Sequence, residues 1–111
     1  MEKAREARRS SEETNVKIGI MLNSQFAPGT HTAAAFRETV EQVRLMRELG
    51  FDSVWVGQHY LSTPYQMWQP MPTLARLAAE AGGMTLGTNI FLLTVHNPVE
   101  SAEFVATLDV I

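Results

Sequence analysis

The sequence predicts an α/β fold built from three consecutive strand–helix units, and three observations carry that prediction. Short apolar strands alternate with amphipathic segments of helical period. Each strand is followed by a polar cluster. Strand starts recur at roughly 30 to 36 residues, the length of one βα unit with a right-handed crossover. Three such units make a parallel βαβαβα sheet, too few strands to close a barrel of eight, so two sheet edges are left unpaired.

The first strand is read over Val16 to Leu22, followed by a loop from Asn23 to Thr32 that contains Pro28-Gly29. Phe36, Val40, Val43, Met46 and Leu49 then recur at spacings of three and four, one face of a helix. Thr32 is its expected N-cap and Gly50 its C′ stop. The second strand is Val54-Trp55-Val56, continuously apolar as in a strand buried on both faces. A loop with Pro64, Pro70 and Pro72 leads to a second helix bearing Leu74, Leu77, Ala78 and Ala81, which Gly82-Gly83 ends. The third strand is read over Met84 to Val95, interrupted by Gly87. Asn97-Pro98-Val99-Glu100 opens a third helix, with Asn97 as N-cap, Pro98 at N1 and Glu100 reaching back as in a capping box. Phe104 and Leu108 lie four apart on its apolar face.

Composition narrows the classes. A chain of 111 residues, 45% hydrophobic and 19% charged, holds one soluble domain with a real core. Residues 1–15 mix Glu2, Lys3, Arg5, Glu6, Arg8, Arg9, Glu12 and Glu13 and read as a disordered charged arm, leaving residues 16–111 as the domain. The net charge of −3, with no basic face beyond that arm, argues against a nucleic-acid partner. The absence of cysteine excludes disulfides, thiolate metal sites and cysteine nucleophiles. No apolar segment follows the basic residues as in a secretory signal, and the run from Ile90 to Val95 is too short for a membrane span. Cytoplasm is the default location. The chain stops on apolar Leu108-Asp109-Val110-Ile111, which suggests the N-terminal piece of a larger enzyme or a truncated gene product.

Ligands in parallel α/β folds bind at the C-terminal ends of the strands. Asn23, Ser24 and Gln25 follow the first strand, Gln58, His59 and Tyr60 the second, and Thr94, His96 and Asn97 the third. If the strands are neighbours, these clusters share one rim, where imidazoles, amides and a phenol can orient a ligand and exchange protons near neutral pH. His59 is the leading candidate, the alternative being a structural histidine bonded to backbone carbonyls. His96 is either a ligand-facing group or part of a helix-entry turn, and His31 reads as an exposed loop residue. A metal site is disfavoured because no carboxylate joins the two histidines at the strand ends. No Ser–His–Asp order and no glycine-rich phosphate loop is present. Tyr65, Met67, Trp68 and Met71 either pack over the barrel top or wall a flat ring or acyl chain.

Ile18-Gly19-Ile20-Met21, the run from Glu48 to His59, and Met84-Thr85-Leu86-Gly87-Thr88-Asn89-Ile90 resemble the N-terminal third of the bacterial luciferase-like flavin-dependent monooxygenases. His96-Asn97-Pro98-Val99 and Ala106-Thr107-Leu108-Asp109 continue the likeness, which covers residues 16–111. The resemblance implies a (β/α)8 TIM barrel, of which this chain is the N-terminal βαβαβα part, that binds reduced FMN at its C-terminal rim and uses O2 to oxygenate an organic substrate such as an aldehyde. A separate flavin reductase would supply the reduced flavin. A sister branch uses a deazaflavin coenzyme for hydride transfer without oxygen. On this likeness His59 is the catalytic proton-handling residue, and Gln58 stands where the family carries an acid. Gln58, Thr88, Asn89 and Ile90 would contact the flavin, with a non-prolyl cis peptide at Asn89–Ile90 under the ring. Asn23, Gln25, Tyr60 and His96 would shape the substrate pocket, while the family's phosphate-binding loops come from later strands. The competing reading is a non-catalytic remnant held together by self-association as a homo-oligomer.

Overall fold

The computed structural model describes residues 16–111, so the charged arm expected over residues 1–15 lies outside the described residues. The elements run β1 (Gly19–Met21), β2 (Gln25–Phe26), α1 (Thr32–Glu48), β3 (Ser53–Val56), β4 (Gln66–Met67), α2 (Pro70–Ala81), β5 (Thr85–Thr88), a 3-10 turn (Leu93–Val95) and α3 (Pro98–Val110). Strands β1, β3 and β5 form a parallel sheet in that order, with Met21 opposite Trp55 and Trp55 opposite Gly87. This is the α/β architecture expected, a run of βα units from a barrel that three strands leave open. Strands β2 and β4 pair antiparallel above it, a two-residue ladder between loops that the sequence does not announce.

Asp52 ties the entry ends of the strands together. Its carboxylate accepts from the Ile18 amide at 2.7 Å, its own N–H donates to Ile18 O, and its carbonyl accepts from Thr85 N–H. One residue thereby links the entry ends of all three strands.

Helix α1 starts one residue earlier in its capping than expected. His31, exposed as predicted, is the N-cap, and its Nδ1 accepts from Ala34 N–H at 3.2 Å. Thr32 is instead the first helical residue, because the imidazole does what a short hydroxyl would otherwise do. The far end closes as predicted on Gly50 at φ 79, where Gly50 N–H reaches Arg47 O and Phe51 N–H reaches Met46 O. That pair of bonds is a Schellman motif, which needs a left-handed residue at C′. In α3, Asn97 Oδ1 accepts from both Val99 and Glu100 amides. Asn97 caps alone, and Glu100 stays exposed in the first turn, where its charge suits the positive end of the helix.

The third strand is shorter than Met84–Val95. It ends at Thr88, the Asn89–Ile90 peptide is cis, and Leu93–Val95 forms a 3-10 turn. Apolar content over Ile90 to Leu93 imitates a strand, but the sheet gives these residues no partner strand.

The core lies between the sheet and α1 and α2. Val54 and Val56 point into it from β3 and meet Val43, Met46, Leu74 and Leu77, all buried. An ion-pair clasp joins the helices outside: Glu80 on α2 takes Arg44 of α1 at 2.8 Å and Arg76 at 2.8 Å, and Arg44 also meets Glu41 at 2.6 Å. Two hydrogen-bonded guanidinium groups hold the Glu80 carboxyl down at about 2. Among the described residues no helix is long and apolar enough to cross a membrane.

Candidate active site

The exit ends of β1, β3 and β5 open into a cleft of about 280 Å³. Asn23 and Gln25 reach it from the loop after β1, Gln58 and His59 from the end of β3, and Asn89 and Ile90 from the end of β5. Parallel pairing places these ends side by side, so polar groups far apart in sequence converge. The cleft floor is backbone. A Cβ on Gly57 would stand 3.2 Å from Met21 Cε and 3.4 Å from Asn89 O, so glycine keeps that floor open. Asn23 Oδ1 accepts from Gln25 N–H and folds the first wall, while Asn89 Nδ2 leans on Met21 Sδ.

Gln58 is the centre of the rim. Only 3% of it is exposed, and its amide orientation is fixed by its partners. Leu92 N–H donates to Gln58 Oε1 at 2.8 Å, so Gln58 Nε2 faces the other way. There it donates to Gln69 Oε1 at 3.0 Å and lies 3.2 Å from Tyr60 Oη and 3.0 Å from His96 Nε2. Tyr60 Oη is itself 3.1 Å from His96 Nε2, and Phe91 stacks on the His96 ring at 4.2 Å. An acid at this position could supply none of these amide donors.

His59 differs. Its imidazole is exposed and, among the described residues, has no hydrogen-bond partner, so the bonded structural alternative does not describe it. Only its backbone carbonyl is held, by Gln69 Nε2 at 3.1 Å. Two other expected residues are placed apart from the cleft. Tyr60 and His96 meet each other on the far side of Gln58, with His96 also in the turn that leads into the Asn97 cap. Thr88 lines a separate cavity of about 570 Å³ between α2, β5 and α3. Strand periodicity explains this: Gly87 and Asn89 face one side of the sheet, and Thr88 faces the other. Of the loop aromatics, Trp68 packs between Phe26 at 4.5 Å and Phe36 at 4.9 Å, whereas Met67 lines the cleft. Gln69 is the residue that sequence reasoning missed, since a lone glutamine before Pro-Met-Pro carries no recognised motif.

Among the described residues, no three His, Asp or Glu side chains converge as a metal site would need. The cleft lining is neutral amide, hydroxyl, imidazole and apolar groups, with no Lys or Arg.

A model of the luciferase-like monooxygenase family matches residues 16–111. The chain belongs to that family. Among its relatives is the alkanal monooxygenase alpha chain of Photorhabdus laumondii, 27% identical over 94 residues that cover 85% of this chain and 26% of the relative. An uncharacterised protein, y4vJ, of Sinorhizobium fredii is 24% identical over 80 residues, 72% of this chain and 23% of its own length. The crystal structure of apo-MsnO8 superposes with a TM-score of 0.73 at 29% identity, covering 85% of this chain and 29% of that one. The chain thus spans about a quarter of the length of the relatives it matches. Luciferase-like membership agrees with the parallel βα units and with a cleft at the strand exits.

Proposed function

We propose that residues 16–111 form the N-terminal wall of the flavin site in a luciferase-like monooxygenase that uses reduced FMN and O2 to oxidise an organic substrate. The observation that supports this best is the convergence of Asn23, Gln25, Gln58, His59, Asn89 and Ile90 on one cleft at the exit of three parallel strands.

These residues fit a flavin ring but not its phosphate. Ile90 and Met67 offer an apolar surface, Asn89 and Gln58 offer amide edges, and the glycine floor lets a flat ring approach backbone. No cation lines the cleft, so the phosphate is held by parts of the barrel beyond these strands. Bound reduced flavin would supply the electrons that activate O2. The chain's own residues orient the ring, and His59, unpartnered at the cleft, takes or gives a proton at an imidazole nitrogen. Gln58 keeps the rim neutral where an acid would have placed a charge beside His59. A relative named for alkanals supports an aldehyde-class substrate. The protein works in this reading as a cytoplasmic enzyme fed by a flavin reductase.

Oxygen uptake tests it. With the barrel complete, reduced FMN and a long-chain aldehyde drive oxygen consumption, and His59→Ala lowers the rate by about 100-fold, the usual worth of a positioned acid–base group. Hydride transfer to a deazaflavin, with no oxygen uptake on reduced FMN, overturns it.

A further inference from the structure

We propose that Gln69 is a positioning residue of this rim: with Gln58 it forms a two-amide clamp that fixes the His59 peptide and holds the neutral His96 ring in its Nδ1–H tautomer. The proposal rests on the rim being the flavin site.

The direction of every bond in the clamp follows from its two ends. At one end Leu92 N–H can only donate, which makes Gln58 Oε1 the acceptor and turns Gln58 Nε2 toward Gln69. At the other end His59 C=O can only accept, which makes Gln69 Nε2 the donor and turns Gln69 Oε1 back toward Gln58. Neither amide can flip without setting like groups against each other at both ends. The chain Leu92–Gln58–Gln69–His59 therefore ties the segment after β5 to the exit of β3.

The second hydrogen of Gln58 Nε2 settles His96. Tyr60 Oη and His96 Nε2 both stand within its reach, at 3.2 and 3.0 Å. If it goes to Tyr60, the phenol hydrogen is free to go on to His96 Nε2. If it goes to His96, that nitrogen accepts directly. His96 Nε2 also lies 3.4 Å from Gln58 Oε1, within reach of an Nε2–H. Its nearer contact is the Gln58 amide donor at 3.0 Å, which a lone pair on Nε2 satisfies and an Nε2–H would oppose, so the ring hydrogen goes to Nδ1.

The local sequence explains why Gln69 is available. It occupies the N-cap of α2, where a side chain ordinarily accepts from the N2 or N3 amide. Here N3 is Pro72, which has no N–H, so of those two amides only Met71 at N2 remains, and the Gln69 side chain does not take it. Its backbone carbonyl takes Thr73 N–H and Thr73 Oγ1, and its carboxamide makes no capping bond. The Gln-Pro-Met-Pro segment thus satisfies the helix start through backbone and releases the carboxamide to the rim.

Nitrogen-15 and carbon-13 NMR of the histidine-labelled chain tests this. The wild type should show His96 with a pyridine-like Nε2. Gln69→Glu keeps the acceptor toward Gln58 but loses the donor toward His59, so the His96 tautomer stays and the His59 carbonyl resonance moves. Gln69→Leu removes both, and both signals move, while the amides of Val54 and Leu77 report an intact core. In the complete barrel, Gln69→Leu weakens reduced-FMN binding about tenfold, the order expected when one fixed hydrogen-bonding segment is released. An Nε2–H tautomer in the wild type, or Gln69→Leu signals identical to wild type, overturns the clamp. Unchanged FMN affinity in Gln69→Leu overturns its positioning role while leaving the flavin reading intact. Clamp signatures without any FMN binding overturn the flavin reading and leave the clamp.

Discussion

The two faces of the sheet, read along the single strand β3, behave as two different materials. Val54 and Val56 are 0% and 1% exposed beneath the helices, while Trp55 between them is 37% exposed on the other side. On the covered face, branched and straight aliphatic side chains interlock with α1 and α2. On the bare face, Trp55 lies flat across both neighbouring strands, over Gly19 and Gly87, and its indole N–H donates to Ser53 Oγ at 2.8 Å. A Cβ on Gly87 would overlap the indole ring. One large side chain flanked by two absent ones is how a barrel interior is layered. The covered face holds the buried core of the chain, and the bare face with its rim is where the proposed flavin wall lies.

The largest effect belongs on the covered face. Leu77→Ala lowers the unfolding free energy by about 2–5 kcal/mol through lost burial and a residual cavity, read from denaturant midpoints. Trp55→Ala, though it deletes a larger side chain, should cost less than Leu77→Ala. If the two cost the same, the division between the faces is wrong. Next comes Gly87→Ala, expected to cost about 1–3 kcal/mol because the indole must move. In a Trp55→Ala background that cost should fall close to zero, and a double-mutant cycle measures the coupling. Asn97→Ala costs about 1 kcal/mol by removing the acceptor for two α3 amides. Hydrogen exchange should show that loss in α3 and not in β3, sharpening the contrast between the loosely seated third helix and the packed pair.

The smallest effect lies at the clasp between α1 and α2. Glu80 titrates at about 2 rather than near 4.5, held down by hydrogen bonds from Arg44 and Arg76, and the same contact raises Arg44 above its ordinary value. A depressed carboxylate pKa stabilises the fold above the unfolded pKa, and that contribution fades as pH falls through the folded one. The stability difference between wild type and Glu80→Gln should therefore be full above pH 4.5 and vanish toward pH 2. Being partly solvent-screened, it should also shrink with added salt.

Where side chains obey a period, the sequence is a good guide to this fold. The α1 stripe through Val40, Val43 and Met46, the glycine at φ 79 that stops it, and the Asn97 cap all follow local rules that tertiary context does not overturn. The segment after Thr88 is less legible, because Ile90 and Leu93 are apolar yet exposed. Hydrophobicity there has no partner strand, so a pattern rule extends β5 by mistake. At the rim, the exit residues of each strand could be named from topology alone. Their division into a cleft set and a Tyr60–His96 set could not, since it depends on which way Gln58 turns, and a backbone N–H at Leu92 decides that. Gln69 is illegible for the same reason: its carboxamide makes no capping bond and turns instead to Gln58 and the His59 carbonyl.

Amide chemical-shift mapping under anaerobic titration with reduced FMN tests most directly whether the strand-exit cleft is a flavin wall. Shifts should concentrate at Gly57, His59, Asn89 and Ile90, and a flavin lacking its phosphate should produce the same pattern, because this cleft holds the ring. Shifts centred instead on Leu74, Ala78, Val105 and Leu108, in the cavity behind β5, or none at the strand exits at saturating flavin, would contradict it.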